Sequence, residues 1–143
     1  MAELVKIFAL GGLDETGKSM YVVEAGNDIF VIECGLKYPD STNPGIDMII
    51  PNYDYLKANK DRVRAFIITH GHDDQMGALP WVYSDIQAPI YATNASIMMI
   101  KAFTKSVNME VNYQFVPIEP SSDHIIAGRE FNFFQTAHSM LMT

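Results

Sequence analysis

Apolar residues come in short alternating or continuous runs set off by glycine, proline and asparagine, a spacing with the period of strands. Residues 6–10 read as a first strand. Residues 19–25 and 29–33 read as two more, joined by Gly26-Asn27-Asp28, a good hairpin turn. Residues 34–52 are punctuated by Pro39, Pro44, Gly45 and Pro51 and read as loop, and residues 53–60 as a short helix. Residues 63–69 hold the continuous run Ala65-Phe66-Ile67-Ile68, which predicts a strand buried on both faces. A helix is predicted over 76–85, with Pro80 in its first turn, where proline is tolerated. Residues 89–92 form a short strand. Asn94 can cap a helix running to about residue 106, with Ile97, Ile100 and Ala102 or Phe103 on one side. Strands over 113–118, 124–126 and 129–135 follow. The pattern predicts an α/β chain, its layers built around a mixed sheet, without repeats or linkers.

Composition narrows the setting. The 143 residues are 48% hydrophobic and 19% charged, which is one domain's worth of chain with material for a core. No run approaches the ~18 apolar residues of a membrane span, so no membrane partner is expected. Met1-Ala2-Glu3 lacks the basic-then-apolar start of a signal peptide, and the single Cys34 cannot form an internal disulfide; a cytoplasmic location is expected. Ten basic against seventeen acidic residues give a charge of −7, which opposes nucleic acid at long range unless bound cations or other lysines supply positive field.

One motif match is misleading. Residues 12–19, Gly-Leu-Asp-Glu-Thr-Gly-Lys-Ser, satisfy the phosphate-loop pattern G-x-x-x-x-G-K-[ST]. That loop works only if a helix starts at the lysine and turns its amides to the phosphates. Here Met20-Tyr21-Val22-Val23 alternates as a strand, and Asp14 and Glu15 would repel phosphate. No nucleotide cofactor is expected.

The candidate chemistry lies in Thr69-His70-Gly71-His72-Asp73-Asp74-Gln75. Side chains two apart on an extended segment point the same way, so His70 and His72 can converge, and Gly71 lets the backbone turn between them. Imidazole and carboxylate hold Zn²⁺ or Mn²⁺ with positions left open for water and substrate. His138, also at a strand end, is the natural third imidazole; His124 reads as a surface turn residue. Asp74 can bind a second ion or orient the attacking water. Asp73 reads as solvated or as a helix N-cap. Gln75 offers only a weak neutral ligand, so a position that depends on it should be weak or empty.

These residues resemble the His-x-His-x-Asp-His signature of the metallo-β-lactamase superfamily, and more closely its ribonuclease J family of the β-CASP group. The likeness runs through Phe8-Ala9-Leu10-Gly11-Gly12, Gly35-Leu36-Lys37-Tyr38-Pro39, Gly45-Ile46-Asp47, the His70 segment and Thr136-Ala137-His138-Ser139. It implies an αββα sandwich of which residues 1–143 are the N-terminal part, without the β-CASP insertion or the C-terminal part. It implies RNA phosphodiester cleavage by metal-activated water, with His70, His72 and His138 on one ion and Asp74 on the other. Zinc or manganese would be the metal, held below one ion per chain, and RNA would be bound by the full-length protein.

The chain departs from the family at two positions and in one segment. Gln75 replaces a histidine. Glu33 replaces a shorter aspartate behind the site, where an extra methylene should push the carboxylate out of place. Met140-Leu141-Met142-Thr143 replace a different continuation after Ser139. The resemblance therefore implies a weakly active or inactive paralogue. The alternative is a non-catalytic partner subunit of an active paralogue; in either case a homo-oligomer, or a hetero-oligomer with a paralogue, is expected.

Overall fold

The computed structural model describes residues 3–139; the altered segment Met140–Thr143 lies outside them. Six strands form one sheet in the order β1(Val5–Gly11), β2(Met20–Ala25), β3(Asp28–Ile32), β4(Val63–Ile67), β5(Ile90–Thr93), β6(Phe115–Ile118). The first three pair antiparallel, as their short turns require, and the last three join in parallel, as the intervening helices require. The expected mixed sheet is what forms.

Alternation along the strands assigns each side chain to a face. Ile29 and Val31 of β3, with Phe66 of β4, pack under α1(Asp54–Ala58), α3(Leu79–Asp85) and α4(Asn94–Ser106), meeting Leu56, Leu79, Val82, Ile97 and Ile100. Phe30, Ala65 and Ile67 face the other way. They are covered by a hairpin of β7(Asp123–Ile126) and β8(Arg129–Asn132), with Phe131 tilted on Phe30 at 4.9 Å between ring centres. Arg129 clamps that hairpin to the sheet edge through Asp28, Glu3 and the carbonyl of Ala25. Helices, sheet and hairpin make three layers of the expected sandwich; a second helical layer is not present among the described residues. Nor is any helix there long and apolar enough to cross a membrane.

Several boundaries differ from the sequence reading for local reasons. The helix expected over 76–85 begins only at Leu79, as α3, and a separate short helix, α2(Asp73–Met76), precedes it; between them the Ala78 N–H donates to the Cys34 carbonyl at 2.8 Å. The cap of α4 is Thr93, whose hydroxyl accepts the Ser96 N–H, one residue before the expected Asn94. Sheet pairing in β6 begins only at Phe115, while the Tyr113 hydroxyl turns to Thr104 of α4. His124 lies within β7 and packs edge-on against Tyr91 and Phe133, so it is not a turn residue. The phosphate-loop pattern runs straight into β2, and Lys18 pairs with Glu15 at 3.1 Å.

Candidate metal centre

The site is built at the carboxyl ends of the parallel strands, where such sheets place their ligands. Strand β4 delivers buried Ile68, then exposed Thr69, then His70 and His72, both half-buried. Past β8, the chain returns His138 to the same place from the hairpin side. One ligand nitrogen from each of His70, His72 and His138 lies within 4.8 Å of the others. The His138 Nε2 and His72 Nδ1 are 3.2 Å apart, and the ring centres are 4.4 to 5.1 Å apart. Bonds of about 2.05 Å in a tetrahedron set nitrogens about 3.4 Å apart, so these three donors fit one cation with modest adjustment. Burial, then the neighbouring His138 and His72, hold His70 below the usual imidazole pKa, which favours the neutral, ligating form.

Gly71 lies between the two histidines with no left-handed φ; a Cβ there would come 2.9 Å from the Cβ of Met99. Its smallness admits α4 against the histidine loop, a different reason from the tight turn expected. Behind the loop, residues 33–36 are laced to α2: Cys34 N–H to the Gln75 carbonyl at 2.6 Å, Leu36 N–H to the Asp73 carbonyl at 3.0 Å. That approach needs Gly35, where a Cβ would fall 1.7 Å from the Asp74 carbonyl oxygen.

The carboxylates divide. Asp74 is not among the three clustered ligands; its Oδ2 accepts the Gln75 Nε2 amide at 3.1 Å. Asp73 sits in the first turn of α2 rather than capping it, and accepts the Tyr38 hydroxyl at 2.7 Å, which pushes the Tyr38 pKa up to about 12. Glu33 is buried with a left-handed φ of 65°. Both of its carboxylate oxygens accept the Thr69 N–H, at 3.2 and 3.4 Å. Burial pushes its pKa up to about 7, against the Thr69 bonds, with the charge of Asp74 adding to the rise. Sequence reasoning missed Thr69, whose hydroxyl meets His70 Nδ1 at 2.8 Å, and Tyr38. Thr69 carried a signal in its place beside His70; Tyr38, 35 residues away from Asp73, carried none.

Two cavities flank the histidines. One, of about 420 Å³, is mainly apolar and is lined by Thr69, His70, Phe133, Phe134 and His138. The other, of about 640 Å³, is lined by Lys37, Tyr38, His72, Asp74 and Met99.

The model of the metallo-beta-lactamase superfamily matches residues 13–131. The chain is 36% identical over 137 residues to ribonuclease J 2 of Streptococcus pyogenes, covering 95% of this chain and 25% of that protein. It is 35% identical over 138 residues to ribonuclease J2 of Bacillus subtilis, covering 96% and 25%. The chain thus spans about a quarter of the length of these curated relatives. Among solved structures, the metallo-beta-lactamase fold protein YhfI of Bacillus subtilis matches with a TM-score of 0.61 at 18% identity, over 95% of this chain and 55% of that one, which supports the fold.

Proposed function

The chain belongs to the metallo-β-lactamase superfamily, and from that premise we propose that it serves a metal-dependent ribonuclease hydrolysing RNA phosphodiester bonds. Membership implies divalent metal, and the observation that carries the reading is the convergence of His70, His72 and His138. The RNA substrate is inferred from the likeness to ribonuclease J 2. We further place the protein in the cytoplasm, consistent with its single, buried, unpaired Cys34.

In this reading His70, His72 and His138 hold one zinc or manganese ion through three neutral nitrogens, a set that leaves a position open. A bound cation supplies the Lewis acid that lowers the pKa of water and offsets charge at the scissile phosphate. Asp74 orients the attacking water and is the acidic group available for a second ion. Gln75 weakens that second position twice: its amide is a poor ligand, and it already donates to Asp74. Metal is then held at less than one ion per chain, and hydrolysis is weak.

The same Gln75–Asp74 bond favours a second reading, a non-catalytic subunit paired with an active paralogue. The substitution Gln75→His separates the two. We expect it to raise zinc stoichiometry by elemental analysis, and cleavage of a labelled oligoribonucleotide by about tenfold or more, as restored charge stabilisation would. Higher metal content without any gain in cleavage supports the partner subunit. No metal retained by either form contradicts the enzyme reading.

A further inference from the structure

We infer that Thr69 is the positioning residue of this centre: its hydroxyl holds the His70 ring so that the other nitrogen is left for the cation. The inference rests on the metal reading above and assigns how the first ligand is held. Thr69 is exposed, so its identity is not dictated by packing in the core. Its Oγ1 is 2.8 Å from His70 Nδ1. A ring nitrogen engaged by a hydroxyl does not ligate, so Nε2 is the atom His70 has left to share with His72 and His138. An imidazole held at one nitrogen has its orientation set for metal binding at the other.

The hydroxyl is itself held from behind. The Thr69 N–H donates to the carboxylate of Glu33, at 3.2 and 3.4 Å. Glu33 in turn is anchored by its own N–H, which donates to the Ile67 carbonyl at 2.9 Å, and by burial at the end of β3. Threonine is β-branched and stiff about χ1, so fixing its main chain restricts where the hydroxyl points. The connection therefore runs from β3 through the Glu33 side chain to the Thr69 backbone, then through the Thr69 hydroxyl to the ring. Valine at 69 keeps the shape and the backbone donor and deletes only the last contact. Serine keeps that contact.

The test is a Co²⁺ titration of the purified chain followed by visible ligand-field absorption, for the wild type, Thr69→Val and Thr69→Ser. Circular dichroism serves as the control for folding, which an exposed isosteric change leaves intact. We expect Thr69→Val to lose about tenfold or more in Co²⁺ affinity, with an altered ligand-field spectrum. Thr69→Ser should restore both. Wild-type affinity and spectrum in Thr69→Val overturn the inference, as does an equal loss in both variants. A wild type that binds no Co²⁺ at all overturns the metal reading on which the inference stands.

Discussion

At the residue scale, Glu33 carries the sharpest consequence. Its carboxyl is raised from an ordinary value of 4.5 to about 7 by burial. The folded chain therefore holds that proton more tightly than the unfolded one. Stability from this group is fully present below about pH 4.5, falls as pH rises toward 7, and is flat beyond. The shift corresponds to about 3 kcal/mol across that window. Urea denaturation of the metal-free protein at pH 5 and pH 8 should show the loss, and Glu33→Gln should remove its share. An unchanged pH slope in Glu33→Gln would place the titration elsewhere. Part of the cluster was legible: two histidines two apart follow β4 and converge, and His138 follows β8. The left-handed φ of Glu33 was not legible, because such a backbone at a non-glycine residue leaves no mark in the hydrophobic pattern. Nor was the role of Gly71, whose neighbour Met99 is distant in sequence.

At the scale of elements, strands were legible by two signals: alternation of burial in β2, and in β4 a continuous apolar run buried on both faces. The break between α2 and α3 was hidden, since the Ala78 N–H there goes to the carbonyl of Cys34 across the site. That lacing predicts unequal glycine substitutions. Gly35→Ala drives a Cβ into the Asp74 carbonyl, which belongs to main chain and cannot swing aside. We expect it to cost at least the about 1–3 kcal/mol typical of overpacking, read as a lower melting temperature. Gly71→Ala brings its Cβ to 2.9 Å from the Met99 Cβ, a far milder overlap than that at Gly35, and should cost less. Equal melting temperatures for the two variants would argue against the close approach of residues 33–36 to α2.

At the scale of the molecule, one sheet has its helices on one face and a clamped hairpin on the other. The helical face carries most of the apolar burial. The smaller hairpin cluster, fixed by Phe131 and Arg129, precedes the segment that carries His138 back to the β4 loop. The three-imidazole cluster is therefore a product of the layered arrangement and not of the His70 segment alone.

The most direct test is X-ray absorption at the zinc edge of the zinc-loaded chain, with His138→Ala alongside. The account predicts three imidazole nitrogens at about 2.0–2.1 Å in the wild type and two in the variant, with affinity sharply reduced. Identical spectra and affinities for the two proteins would contradict it, since the centre would then owe nothing to the hairpin side of the fold.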